Sequence, residues 1–310
     1  MKKIQLVAIL FIALCFNSIT GYSQNVAGKT VQSLSLKATT QFAIVNHHKV
    51  AYRKFGSGVP LIMANRFRGT LDTWDPLFLD LLAKQNTVIT FDYSGIGYSE
   101  GELPLTMQDL SAEVISLADY LKIDKFNMLG WSYGGWIAQY VTFLYPSRIA
   151  KTVVIDANAM GKNEIPMDPA FAKSGMKPNK ELQLEDYVIL FFEPKSEKSR
   201  EAARKSIERI SKRLDESKVP EKPEVLQRYF APNAAVVEDK ENFRAAYATL
   251  RTSVMVISGD HDISFAVDNW YPLVRKAPTM QLIVFPDAGH GPQHQYPELA
   301  AGYISTFLKN

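Results

Sequence analysis

From about residue 40 the chain alternates short β-branched and apolar runs with longer stretches of helical spacing, and this alternation constrains the fold more than any other feature. The runs are Phe42–Val45, Val50–Phe55, Leu61–Ala64, Thr87–Phe91, Phe126–Leu129, Thr152–Ile155, Val254–Ser258 and Gln281–Phe285. Strands spaced by helical patterns predict an α/β fold, a mostly parallel eight-stranded sheet with helices on both faces. The first two runs carry a hairpin signal, because Asn46-His47-His48-Lys49 is a polar connection between alternating apolar stretches. Helices are predicted at Met107–Leu121, Gly134–Tyr145, Phe265–Arg275 and Pro297–Leu308. Residues 157–251 hold few β-branched runs and many helix formers, so an inserted helical cap is predicted there, dividing a core of 24–156 and 252–310. Within it Ala203, Ile207, Ile210 and Leu214 share one helix face and must pack on something.

Composition removes several alternatives. With 46% hydrophobic and 22% charged residues, the usage is that of a globular protein with enough chain for one large core. The formal net charge is +3, and Lys2 and Lys3 supply two of those charges, so no basic surface for nucleic acid is indicated. In the charged run Lys195–Lys218 acids and bases intermingle, as on a solvated helix face. The N-terminus reads as a signal peptide over residues 1–23: a basic Met1-Lys2-Lys3, an apolar stretch Ile4–Phe16 and a small polar exit ending at Ser23. That stretch is short of the roughly 20 residues of a membrane-spanning helix, so the expectation is export to the periplasm or exterior without a permanent anchor. The one cysteine, Cys15, falls inside the leader and follows Leu14, a poor context for lipidation, so the mature chain has no thiol.

Gly130-Trp131-Ser132-Tyr133-Gly134 follows a predicted strand and opens a predicted helix. In that context Gly-x-Ser-x-Gly is a nucleophile elbow: a tight turn holds the serine, and glycines let strand and helix approach. A serine hydroxyl needs a base to take its proton and a carboxylate to fix the base's tautomer. Two later strands end in candidates, Gly259-Asp260-His261-Asp262 and Pro286-Asp287-Ala288-Gly289-His290.

Over nearly all of its mature length the chain resembles the α/β-hydrolase superfamily. Phe91–Ser99 resembles the family's Asp-x-x-Gly-x-Gly-x-Ser loop, Gly259–Asp262 is similar to the Gly-x-x-Asp carrying the acid, and Gly289-His290 to the histidine segment. The resemblance implies Ser132 as nucleophile, Asp262 as acid and His290 as base, with the Tyr133 and Phe67 amides as the oxyanion hole. Asp260 competes for the acid role but is expected to bond within its turn, and Asp92 to tie down the loop beneath the elbow. His47, His48 and His261 are expected to be solvated or structural, and His294 is the alternative base. No histidine pair has zinc-ligand spacing, and the chemistry asks for no cofactor. One departure stands out: where the family shows His-Gly after its third strand, this chain has Asn65-Arg66, followed by Phe67, Arg68 and Gly69. Arg66 and Arg68, with Trp131, are therefore candidate substrate-binding residues, a guanidinium suiting a substrate carboxylate. The competing reading is an internal ion pair with Asp72 or Asp75.

The resemblance implies acyl transfer to water on a small-molecule substrate, with a carboxylic ester the broadest fit. Aspartate-nucleophile relatives such as epoxide hydrolases are disfavoured by Ser132. A proline-iminopeptidase-like aminopeptidase, a perhydrolase using peroxide, and a non-catalytic ligand-binding member of the fold remain open. The substrate itself is set by the cap, where no residue announces a chemistry.

Overall fold

The computed structural model describes residues 32–310, so the predicted leader lies outside the described residues. One sheet holds β1 (Gln41–Val45), β2 (His48–Gly56), β3 (Val59–Ala64), β4 (Asn86–Phe91), β5 (Phe126–Trp131), β6 (Ile149–Ile155), β7 (Ser253–Gly259) and β8 (Met280–Phe285). Their order in space is β1-β2-β4-β3-β5-β6-β7-β8. β2 is antiparallel to both its neighbours and every other pairing is parallel. All eight predicted strands fall within these. The first connection is tighter than its four polar residues suggest: Asn46 and His47 alone make the turn, both left-handed at φ 47° and 70°, and His48 and Lys49 join the strand. Two left-handed residues match the right-handed twist of the hairpin.

The helices are α1 (Leu34–Lys37), α2 (Pro76–Leu82), α3 (Met107–Tyr120), α4 (Tyr133–Leu144), α5 (Pro169–Gly175), α6 (Leu184–Phe191), α7 (Glu197–Ser211), α8 (Pro223–Phe230), α9 (Asn233–Glu238), α10 (Phe243–Ala246), α11 (Pro292–Gln295) and α12 (Pro297–Lys309). Thr106 and Asp75 cap α3 and α2 by accepting from the Asp109 and Leu77 amides. The helix predicted at Phe265–Arg275 is a 3₁₀ segment, Val267–Leu273; Pro272 inside it can donate no backbone bond, which disfavours an α-helix there. No helix of the described residues is long and apolar enough to cross a membrane.

Strand alternation sorts the core into two layers. Ile62, Ile89 and Met128 point to one face, packing with Leu110, Val114, Ile137 and Val141 of α3 and α4. Leu61, Met63, Val88 and Leu129 point to the other, packing with Phe78, Leu82, Ile304 and Phe307 of α2 and α12. Fully burying each such side chain stabilises the fold by about 1.5–3 kcal/mol. Helices α5–α10 lie between β6 and β7 in sequence, at the carboxyl edge of the parallel strands, and α7 carries three of the four residues of the stripe read from the sequence: Ala203 is buried and Ile207 and Ile210 face a cavity, which Leu214 also lines from beyond the end of the helix at Ser211.

A polar knot fastens the hairpin to this frame. His48, expected to be solvated, places Nε2 2.6 Å from Ser94 Oγ, and Ser94 donates its amide (2.9 Å) and its hydroxyl to the buried Glu113 carboxylate of α3. Burial pushes the Glu113 carboxyl from an ordinary 4.5 up to about 7, against the two Ser94 bonds that favour the charged form. A carboxyl that holds its proton more tightly folded than unfolded loses stability as pH rises between those two values. The penalty is fully developed above about pH 7 and, at roughly 1.4 kcal/mol per pH unit, is on the order of 3 kcal/mol. Glu113→Gln removes the charge, leaving Oε1 to accept from the Ser94 amide and Nε2 to donate to Ser94 Oγ in place of the bond that the hydroxyl gave. Denaturant unfolding at pH 5 and pH 8 is expected to show the variant gaining stability over wild type only at pH 8; an equal difference at both would refute the assignment.

Candidate active site

The backbone of the elbow is strained by design of its neighbours. Ser132 sits at φ 58°, ψ −119°, between the end of β5 and the first residue of α4. A side chain at Gly130 would stand 1.9 Å from the Gly134 carbonyl oxygen, and one at Gly134 would stand 2.2 Å from the Ala64 oxygen. Only glycines allow β3, β5 and α4 to meet there. As the first helical residue, Tyr133 has an amide with no intrahelical acceptor, next to Ser132.

His290 and Asp262 arrive from the loops after β8 and β7. His290 Nδ1 lies 2.8 Å from Asp262 Oδ2, and both side chains are sealed from solvent. Asp262 Oδ1 accepts from the Ser264 and Phe265 amides at 2.7 and 3.1 Å. The carboxylate is therefore anchored on one oxygen and free to hold imidazole on the other, which fixes the proton on Nδ1. His290 Nε2 is buried with no hydrogen-bond partner, and it faces the same cavity as Ser132, although the serine hydroxyl is not bonded to it here. Such bonds often tighten only with substrate. The competing acid, Asp260, is turned away: it pairs with His261 Nδ1 at 2.6 Å and accepts from the Ala288 amide. His294, the alternative base, packs at a tilt against Trp131, with ring centroids 4.7 Å apart and planes at 60°, and burial drives its pKa down to about 4.

A second acid belongs to this cluster and has no motif to announce it. Asp156, at the end of β6 with φ 42°, lies beside Asp262 and accepts from the Gly259 amide at 3.0 Å. Burial, and next the negative charge on Asp262, push its carboxyl well above the usual range, and its Oδ2 is buried without a hydrogen-bond partner. Its place at the carboxyl edge of a parallel strand was the one available signal. Asp156, Asp262 and His290 are close enough to ligate a cation, but the Asp262 oxygens are already committed to the ring and to the two amides.

The loop after β3 is organised by its own side chains. Asn65 Nδ2 donates to the Thr70 carbonyl and to Thr73 Oγ1, its Oδ1 receives the Arg66 amide, and its carbonyl receives the Tyr93 hydroxyl. Asp92 binds the Leu71 and Tyr98 amides at 2.7 and 2.9 Å, which is the loop-tying role expected of it. Gly69 supplies space: a side chain there would stand 2.3 Å from Asn65 Oδ1. The left-handed residue is Arg68, at φ 56°. That conformation costs about 1–2 kcal/mol in a non-glycine residue, and four bonds from the guanidinium offset it: to the carbonyls of Pro220, Gly175 and Lys177 at 2.7–2.8 Å and to Asn179 Oδ1. The Phe67 amide takes part in none of these bonds. Neither arginine pairs with Asp72 or Asp75, because Arg53 holds Asp72 at 2.6 Å and Arg209 of α7 holds Asp75 at 2.6 Å. Trp131 donates from Nε1 to the His290 carbonyl at 2.8 Å, so it bears on the histidine's position as well as on the cavity wall.

A strained serine after a parallel strand, facing a buried histidine paired with a carboxylate, defines a hydrolase-type fold and site. The chain belongs to the alpha/beta hydrolase fold family, whose pattern it matches over residues 59–297. An alpha/beta hydrolase fold protein from Chitinophaga pinensis superposes with a TM-score of 0.77 at 29% identity, over 88% of this chain and 98% of that one. A thermophilic esterase from Thermogutta terrifontis shares the fold with a TM-score of 0.67 at 21% identity, over 88% and 98%. Among curated proteins the chain is 25% identical to a 2-hydroxy-6-oxononadienedioate/2-hydroxy-6-oxononatrienedioate hydrolase from Pseudomonas putida, over 71% of this chain and 76% of that protein. It is 26% identical to the dihydrolipoyllysine-residue acetyltransferase component of an acetoin cleaving system from Pseudomonas putida, over 81% of this chain and 64% of that protein. The chain spans between about two fifths and two thirds of the length of that component, of a soluble epoxide hydrolase and of a carbamate hydrolase that it also matches.

The geometry separates the two acids experimentally. Asp262→Asn removes the charge that holds the His290 ring, and the rate of Ser132 labelling by a fluorophosphonate is expected to fall by about three to four decades. Asp260→Asn leaves that bond in place and is expected to stay within about tenfold. Comparable losses in two folded variants would reverse the assignment.

Proposed function

We propose that the protein is a serine hydrolase that cleaves a carboxylic ester or related acyl compound through an acyl-enzyme on Ser132. The observation that carries this reading is the buried 2.8 Å bond between Asp262 Oδ2 and His290 Nδ1. With the proton committed to Nδ1, Nε2 presents a lone pair to the cavity that Ser132 shares. Ser132 Oγ attacks the carbonyl carbon as Nε2 takes its proton, and the Tyr133 and Phe67 amides receive the negative charge that develops on the carbonyl oxygen. The tetrahedral adduct collapses, the bond to the leaving oxygen breaks, and His290 returns the proton to it. Water, deprotonated by the same nitrogen, then attacks the acyl-enzyme and releases the acid.

Charge on the cavity wall argues against the aminopeptidase alternative. A free substrate amine needs a carboxylate near the nucleophile, whereas the wall offers Arg66 and Arg68 and a single acid, Glu216, that is exposed to solvent. The leader read at residues 1–23 adds export from the cytoplasm to this proposal.

Ser132→Ala is expected to abolish fluorophosphonate labelling and to lower turnover of any ester the protein cleaves on the order of a thousandfold or more. Undiminished turnover in that variant would falsify the mechanism. An unlabelled but well-folded wild type would favour a non-catalytic binding protein.

A further inference from the structure

We propose that the acyl group cleaved at Ser132 carries a carboxylate of its own, and that Arg66 is the residue that binds it; the inference rests on the serine-hydrolase reading of this cavity. Arg66 replaces the small residue that the resemblance calls for beside the oxyanion amide, yet no carboxylate among the described residues pairs with it. Its Nη1 donates to the Phe67 carbonyl at 2.8 Å, its Nε is buried without any partner, and no described residue accepts from its Nη2. The two nearby acids are taken by Arg53 and Arg209. Arg68, two residues on, has turned its guanidinium to the cap.

A guanidinium buried without a counter-ion is costly, because its hydration is lost and no carboxylate replaces it. The site lessens that cost only in part. The guanidinium carbon lies 4.7 Å from the Phe191 ring centroid and 5.4 Å from that of Trp131, within cation–π range. Burial brings the pKa down to about 10, which leaves the group cationic at neutral pH. The same two rings flank His290, at centroid distances of 6.4 and 6.2 Å, so the unneutralised fork and the catalytic imidazole share one aromatic wall. The cavity that Arg66, Ser132 and His290 line has a volume of about 130 Å³, close to a cavity that admits benzene. It suits a short acyl chain ending in a carboxylate, whose two oxygens match the planar fork.

The test uses the 4-nitrophenyl monoester of glutaric acid and its neutral counterpart, in which the free carboxyl is a methyl ester. Wild type is expected to favour the acid by tenfold or more in kcat/KM. In Arg66→Gln the ratio of acid to neutral kcat/KM is expected to fall about tenfold to a hundredfold, chiefly through KM of the acid. Arg66→Lys keeps the charge and the stem without the fork and is expected to retain part of the preference, which guards against a Gln variant that fails to fold. Calorimetry of glutarate with Ser132→Ala, and with that change combined with Arg66→Lys, reads the anion site without turnover, and binding is expected to weaken in the second. A wild type with no preference for the acid, or an unchanged ratio in folded Arg66 variants, overturns the proposal. Equal losses on both esters overturn it as well, since they mean that Arg66 serves the oxyanion loop. Arg66-dependent glutarate binding in a protein that cleaves neither ester leaves the anion site standing and removes the hydrolase reading instead.

Discussion

Contact between three backbones, at Ala64, Gly130 and Gly134, is the constraint from which the rest of the site follows. Because no side chain intervenes, α4 starts directly at the end of β5, and Ser132 is forced into a conformation that a non-glycine residue leaves when it is free to do so. Extensive packing holds it there: β5 lies between β3 and β6, and α4 is buried along most of its length. The serine backbone stays tied in, its amide donating to the Ile155 carbonyl and its own carbonyl accepting from the Gly135 amide, while the Tyr133 amide, unpaired at the helix start, sits beside it. Strain in the backbone and polarity at the site are one arrangement seen twice.

Several charged side chains are buried around that contact, and among those that surround the cavity all but one are matched. Arg53 with Asp72, Arg209 with Asp75, and Asp262 with His290 are matched pairs, while Asp92 is held by backbone amides. Burial and the neighbouring Asp262 charge both raise the Asp156 carboxyl, which favours its neutral form beside that carboxylate. These partnerships fix the loops at the carboxyl edge of the sheet, where hydrophobic packing alone leaves loop conformation undetermined. Arg66 is the exception, and its isolation is meaningful because every neighbouring charge is accounted for.

Much of this was legible in the sequence. Leu61 and Met63 against Ile62 and Ala64 show the two-sided burial of a central strand, and all eight strands followed from such runs. Gly130, Ser132 and Gly134 were legible because the elbow requires those residue types at that spacing, and Asp262 because its register after β7 is fixed. Other features depend on contacts made across long sequence separations. Asp156 becomes a member of the cluster only when β6 and β7 lie side by side. His48 joins Ser94 only through the register of β1, β2 and β4. Arg66 and Arg68 are equivalent as letters, and it is the left-handed backbone at Arg68 that sends one toward the cap and leaves the other in the cavity. The turn at Asn46-His47 and the 3₁₀ segment around Pro272 departed from expectation for local reasons, the twist of a hairpin and the missing amide of a proline.

Arg68 also bears on how separable the two halves of this molecule are. It belongs to the loop after β3, yet its guanidinium is the meeting point of three carbonyls and one amide side chain of residues 157–251, contributed from both sides of α6 and α7 in sequence. Residues 157–251 are thus not a module that can be exchanged to change specificity while the catalytic frame stays as it was. A transplanted cap lacking those acceptors leaves the left-handed residue uncompensated and frees the loop that carries the Phe67 amide. In a chimera, residues 65–69 belong with residues 157–251, and the true seam runs through the loop after β3, inside what the chain order assigns to the core.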